Sequence, residues 1–483
     1  MKKSILYVLL LVVMIFTSCS KDSAPVTPNP SGGNNGGQTP STPTEEPQAL
    51  NLKDYKNGSG VMMQAFYWDV EPRGEWWNVL SDKVSGWADA GVNRIWLPVV
   101  SKGASGGYSM GYDVSDYFDF GNYNQHGTVK TRFGSKDELV SLISKAHAND
   151  LEVIADIVIN HNSGGGEEYN PYRDKNTYTL FDETHGNASG MFNRNYEDFY
   201  PNSVDNYADD DLFYPETNLD HHREHVQDWL WKKDSSVAKY YKNFMKFDGW
   251  RFDYVKGYEP WVISEWMKSV GGFAVGENWD GNGAVLEKWV EETGISAFDF
   301  ACFYKLDESL DRHHDLTYLG KDMLRKTSPD KAVTFVANHD TEKDTNTDNN
   351  ISADNKMKAY AYILTHDGYP CIFYSDYEND AFQNEIKNLI LIHNTIATGD
   401  VKVLYNDNDE YIMERTGDGN NPGLIFYINI NGNTKRRQVS TTWSGKEIMD
   451  YSNHTTYSPT VGTDGTVNIE APANGYSIYS IMK

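Results

Sequence analysis

The chain has 483 residues, 39% of them hydrophobic and 23% charged, which is enough for a large core and two or three domains. A formal charge of −26 argues against nucleic acid and anionic lipid as partners and suits a neutral ligand. Three cysteines, Cys19, Cys302 and Cys371, exclude a disulfide scaffold; the last two lie in apolar strand-like runs and read as buried free thiols.

In chain order, Lys2 and Lys3 precede an apolar run over 5–16, followed by Thr17-Ser18-Cys19. This is the pattern of a secretory signal, too short for a comfortable membrane span. A cysteine after small residues resembles a bacterial lipobox, which implies cleavage at 18/19 and a lipid on Cys19. The competing reading is a plain signal with an incidental cysteine. Residues 20–48 are mostly Pro, Gly, Ser, Thr and Asn and read as an unfolded tether spanning on the order of 30 Å.

From about Leu50, strand-like and helical patterns alternate. Strands are expected over 61–66, 94–99, 152–159, 249–254, 273–279, 295–300, 333–338 and 371–376. Amphipathic helices are expected over 136–149, 226–246 and 384–394. Eight strand–helix units over 49–160 and 221–397 predict an α/β fold, a (β/α)8 TIM barrel; no Gly-rich phosphate turn supports a doubly wound sheet. Residues 161–220, rich in Gly, Asn, Asp and Tyr, read as a small inserted domain leaving the end of the third strand. After 398, alternating runs at 411–415, 424–430, 438–442, 466–469 and 477–481 predict a C-terminal antiparallel β-sandwich over 398–483.

Four segments set acids at strand ends: 156–161 (DIVINH), 249–253 (GWRFD), 276–280 (GENWD) and 335–340 (FVANHD). In a barrel of this type they share the C-terminal rim, where catalytic groups gather. Any one acid has the plain alternative of capping the next helix. Together they supply two carboxyls of different environment, the equipment for glycoside cleavage. Arg251 lies two residues before Asp253, on the same face of its strand, and would keep that acid ionised. Glu277 has apolar Trp279 nearby, which would raise its pKa.

The four segments closely resemble the signature regions of the α-amylase family, glycoside hydrolase family 13. Residues 109–119 (SMGYDVSDYFD), 127–136 (GTVKTRFGSK), 250–258 (WRFDYVKGY) and 338–341 (NHDT) look like archaeal and plant-like members. The resemblance implies a retaining mechanism with Asp253 as nucleophile, Glu277 as general acid/base and Asp340 as the third acid gripping the sugar. It implies substrate contacts from Tyr112, His161, His339 and Arg251, the last orienting the nucleophile, and from Lys256, Tyr258 and Trp279. Packing is the alternative for these last three. Asp156 would be structural. A calcium ion would take Asn160, Asp209, Asn218 and the carbonyl of Gly257, with register uncertain among Asp209, Asp210 and Asp211. Some archaeal relatives hold zinc nearby through His and Cys; here Asp205 and Asp220 stand instead, and zinc is not expected.

The resulting expectation is a monomeric, lipid-anchored envelope enzyme that cuts internal α-1,4 bonds of starch, glycogen or malto-oligosaccharides. The alternatives are a debranching, maltogenic or transglycosylating relative, or a starch-binding lipoprotein without turnover.

Overall fold

Eight parallel strands close into a barrel in the computed structural model, which describes residues 48–210, 212–343 and 350–483. They are β1 (Val61–Gln64), β2 (Val92–Trp96), β3 (Glu152–Ile157), β4 (Gly249–Phe252), β5 (Phe273–Gly276), β6 (Ser296–Phe298), β7 (Ala332–Phe335) and β8 (Tyr369–Phe373). Each pairs with the next, and β8 closes on β1 with Cys371 opposite Met62. All eight expected strands are present. Most end two or more residues earlier than their apolar runs, because the last residues of each run curl into the loop that carries the polar groups. The expected signal segment, the tether and Cys19 lie outside the described residues, as does Asp211. Among the described residues no helix is long and apolar enough to cross a membrane.

Every residue of β1, β4 and β7 is buried, as expected of strands covered on both faces. The helix Lys136–His147 starts at a capping box. Ser135 N donates to Glu138 Oε2 (2.7 Å), while the Ser135 hydroxyl accepts from Glu138 N. Leu139, Leu142, Ile143 and Ala146 turn inward at helical spacing, each large side chain contributing about 1.5–3 kcal/mol by burial.

The continuous helix expected over 226–246 is not formed. Two short helical pieces, Glu224–Lys232 and Val237–Met245, flank a break at 233–236. Asp234, Ser235 and Ser236 lie at the break, and such side chains compete with helical hydrogen bonding.

The chain after 398 forms a five-stranded antiparallel sheet in the order Val401–Asn406, Glu410–Arg415, Leu424–Asn429, Gly475–Ile481, Ile448–Asp450. A two-stranded sheet, Lys435–Ser440 with Thr466–Ala471, shares a core with it through Ile412, Ile425, Tyr427, Val439 and Ile469. The first and fifth strands of the larger sheet were not anticipated. Val401–Asn406 is half-exposed and ionic in part, and Ile448–Asp450 is too short to show alternation. Cys302 and Cys371 are both buried and free.

Candidate active site

The barrel register brings the acids together. Asp156 of β3 stands opposite Arg251 of β4, so their side chains share the inner face. Phe252 pairs with Gly276 of β5, and the next residues on the two strands are Asp253 and Glu277. Gly276 is required there: a Cβ would stand 2.2 Å from the Trp289 ring.

Arg251 is 1% exposed and is the hub. Its Nη1 donates to Asp156 Oδ1 (3.0 Å) and to Asp253 Oδ1 (2.6 Å), and its Nη2 pairs with Glu277 Oε1 (2.5 Å). Glu277 Oε2 accepts from the backbone N of Tyr254 (3.1 Å), a residue held at φ 44° directly after Asp253. Such strain clusters at functional sites. Asp340, five residues past the end of β7, lies with Oδ2 3.4 Å from His339 Nε2.

A proton-ordered chain runs behind the acids. Gln64 Nε2 donates to His339 Nδ1 (3.0 Å), leaving the ring proton on Nε2 to face Tyr112 Oη (2.8 Å). Tyr112 in turn donates to Asp156 Oδ2 (3.0 Å), which also accepts from Trp96 Nε1 (3.1 Å). Tyr112 and His339 lie nearly parallel with centroids 5.3 Å apart, and Trp68 lies parallel to Tyr112 at 6.0 Å.

One guanidinium serves four nearby acids, so they cannot all ionise at ordinary pH without cost. Burial pushes Glu277 well above the usual carboxylate range. Arg251 opposes the shift, and the charges of Asp253 and Asp340 add to it. Burial lifts Asp156 to about 7 against the pull of Arg251, and raises Asp340. His339 is held neutral by burial and by Arg251; burial also lowers His161. The site therefore sets a carboxyl whose pKa burial raises, Glu277, beside Asp253, with both held by the same guanidinium.

A cavity of about 390 Å3 opens above these groups. Of the expected residues, Tyr112, His161, Asp253, Glu277, Trp279, His339 and Asp340 line it. Arg251 does not, being walled off behind the acids, so it acts through them. Lys256 is exposed and pairs with Asp280 (3.0 Å), and Tyr258 is buried with its hydroxyl on the carbonyl of Asp253 (3.3 Å). Both line a neighbouring recess instead. Trp279 stacks on Phe300 (4.5 Å) and donates to the Tyr304 hydroxyl (2.7 Å).

Sequence reasoning missed Trp68, Phe213, Tyr214 and Tyr254, which complete the lining. Tyr214 stacks on His161 at 3.9 Å. Phe213 and Tyr214 sit in the aperiodic insertion, where no spacing marks them. An aromatic four residues past the end of β1, as Trp68 is, was the available signal.

The expected cation residues meet at the base of the insertion. Asn160 Nδ2 donates to Asn218 Oδ1 (2.9 Å), and Asn218 Nδ2 to Asp209 Oδ2 (2.7 Å). Asn160 Oδ1 is buried with no hydrogen-bond partner, and a Cβ on Gly257 would stand 2.0 Å from it. An orphaned oxygen beside a side-chain-free backbone and an all-oxygen donor set fit a hard cation such as calcium. Arg173 pairs with Asp209 and would have to share that carboxylate.

Residues 424–480 match the α-amylase C-terminal domain model. The chain is 27% identical to the α-amylase of Bacillus licheniformis, over 88% of this chain and 94% of that one. It is likewise 27% identical to the cytoplasmic α-amylase of Escherichia coli K12, over 81% and 92%. The fold matches an Anoxybacillus α-amylase (TM-score 0.67, 18% identity, 90% of this chain and 99% of that one). It also matches an α-amylase from Geobacillus thermoleovorans solved with acarbose (TM-score 0.66, 19% identity, 88% and 98%). With the barrel, the acids on its rim and these relatives in view, the chain belongs to the α-amylase family, glycoside hydrolase family 13, and is a glycoside hydrolase.

Proposed function

We propose that this enzyme is a retaining, endo-acting α-amylase that hydrolyses internal α-1,4-glucosidic bonds of starch, glycogen and malto-oligosaccharides. The observation that carries this reading is the single Arg251 fork holding Asp253 and Glu277 while burial raises the pKa of Glu277. Two carboxyls gripped by one guanidinium suit the separation of about 5–5.5 Å used in retention, rather than the about 6.5–9.5 Å of inversion. Asp253, held by Arg251 at 2.6 Å, attacks the anomeric carbon. Glu277 gives its proton to the leaving oxygen, then takes one from the water that releases the glycosyl group. Asp340, His339 and His161 grip the ring at the cleavage point, and Tyr112 lies beneath it. The open cavity suits a chain that continues past the bond being cut.

Calcium at Asn160, Asp209, Asn218 and Gly257 would tie the insertion to the barrel, and the orphaned Asn160 Oδ1 supports it. Lipid on Cys19 would hold the enzyme at the cell envelope. Loss of radiolabelled fatty acid in a Cys19→Ala variant tests this.

The deciding experiment is release of reducing ends from soluble starch with calcium, with product sizing on amylose, pullulan and cyclodextrin. Internal cleavage of amylose alone supports the reading. Preference for pullulan or cyclodextrin, or formation of new linkages, would move it to a debranching, maltogenic or transglycosylating enzyme. No turnover would leave a binding protein.

A further inference from the structure

Gln64 is a polar residue set in an apolar wall. It ends β1, with its backbone between Trp96 of β2 and Phe373 of β8, and it is fully buried, as are Met62, Met63, Ala65 and Phe66 around it. It is not among the residues that line the catalytic cavity. A glutamine in such a place is uncommon, and this one carries a cost: its Oε1 has no hydrogen-bond partner among the described residues. A side chain that only filled space here would be better served by methionine or leucine. What the amide does make is the bond from Nε2 to Nδ1 of His339 (3.0 Å).

A neutral imidazole has one N–H and one acceptor nitrogen, so a donor at Nδ1 settles the state of the other nitrogen. The groups on the far side of the ring agree. His339 Nε2 lies 2.8 Å from Tyr112 Oη and 3.4 Å from Asp340 Oδ2, and a carboxylate in that place favours a ring proton facing it. The Tyr112 hydroxyl gives its only hydrogen to Asp156 Oδ2 (3.0 Å), so it can receive from Nε2. The His339 ring is 1% exposed and packed against Phe66 (5.0 Å) and Trp96 (5.8 Å), which keeps it from turning over. With the proton on Nδ1 instead, Nε2 would accept. Tyr112 would turn its hydrogen to His339, Asp156 would lose that bond, and His339 would have no hydrogen to offer a sugar hydroxyl. Gln64 therefore sets the direction of the hydrogen bonds that run from β1 to Asp156.

We propose that Gln64 is a positioning residue for glycoside cleavage: by donating to Nδ1 it holds the ring proton of His339 on Nε2, where it is offered to a hydroxyl of the sugar at the cleavage point, and it turns Tyr112 toward Asp156. This rests on the α-glucan reading above. Gln64 touches no substrate itself. It acts through His339, much as the outer partner of a metal-bound histidine fixes that ring's tautomer.

The test joins ring-nitrogen NMR of histidine-labelled protein to kinetics on malto-oligosaccharides, with Gln64→Met, Gln64→Leu, His339→Ala and the double variant Gln64→Met/His339→Ala beside the full-length parent. The His339 signals are those that His339→Ala removes. In the parent the proton should lie on Nε2, and in Gln64→Met and Gln64→Leu part of it should move to Nδ1. Gln64→Met should lower kcat/KM about tenfold, the worth of one buried hydrogen bond. In the His339→Ala background the same change should alter kcat/KM by less than about twofold, because two residues that act as one unit are not additive. A parent ring with its proton on Nδ1 would overturn the proposal. So would equal losses from Gln64→Met in both backgrounds, which would leave Gln64 a packing residue of β1, or parent-like kcat/KM in both Gln64→Met and Gln64→Leu. A parent that releases nothing from starch or malto-oligosaccharides would overturn the α-glucan reading and the role in cleavage with it, while the NMR, which needs no substrate, would decide separately whether Gln64 sets the ring.

Discussion

Two buried arginines, one toward each end of the barrel, keep opposite company. Arg251, at the C-terminal end, faces Asp156, Asp253 and Glu277 with Asp340 close by. Arg325 lies just ahead of β7. It meets one half-exposed carboxylate, Asp367 (2.5 Å), and the hydroxyl of Tyr362 (2.5 Å), and its backbone N binds Asp299 (2.8 Å). Tyr362 stacks on His366 at 3.8 Å, and His366 reaches the Tyr411 hydroxyl (3.0 Å) in the C-terminal sheet. The lower arginine is balanced and fastens the barrel to the sheet. The upper one is outnumbered. Surplus acid in a dry pocket costs stability, and what it yields is a carboxyl holding its proton where an ordinary glutamate would have lost it.

The sharpest way to break this contrast is Glu277→Gln, which should cut kcat by about 10^3-fold or more while starch binding persists. Starch turnover near the parent level would remove Glu277 from the proton-transfer role. Arg251→Met should abolish most activity and also destabilise the fold by about 3–5 kcal/mol, since it strands several buried acids. Arg325→Met should cost about 2–4 kcal/mol in denaturant unfolding and leave the pH profile of kcat/KM in place. If Arg325→Met moved that profile, the division of labour between the two ends would be wrong.

Smaller effects sharpen it. Chelation should lower Tm by several degrees, because a ligand bound only to the folded chain stabilises it; an unchanged melting curve would count against the cation. Asp340→Asn removes one of the charges that raise Glu277, so the alkaline limb of its residual kcat/KM should shift to lower pH. The smallest concerns Asp156. Its carboxyl is lifted to about 7, so the folded chain holds that proton more tightly than the unfolded one. Its contribution to stability is therefore present below about pH 4 and lost as pH rises toward 7. Asp156→Asn should flatten the fall of Tm across that window.

The barrel was legible because strands buried on both faces read as apolar runs, and the acids were legible because they interrupt those runs. Asp253, Glu277 and Asp340 are conspicuous for that reason. Gln64 was not: a buried amide inside β1 differs little from its neighbours in pattern, and its hydrogen bond to His339 spans 275 positions. Phe213 and Tyr214 come from a segment whose shape is set by turns and side-chain hydrogen bonds rather than periodicity. Lys256 and Tyr258 sit at the expected distance from Asp253 along the chain, yet the tight turn at 255–257 directs them to a neighbouring recess.

The insertion leaves and rejoins the barrel through a narrow stem. Leu219 N binds the carbonyl of Asn160 (2.9 Å), Asn162 N binds that of Thr217 (3.0 Å), and His161 and Asn218 form a bridge. To the eight strands this excursion is therefore equivalent to a short loop, whatever its length, and closing a longer one adds only a logarithmic entropic cost. The segment beyond it delivers Phe213 and Tyr214 to the cavity wall, and it is fastened a second time to the loop after β2, where Ser189 donates to Asp116 and Arg194 to the carbonyl of Ser115. Through Tyr214, stacked on His161, the shape of the insertion is felt directly at the edge of the catalytic cavity.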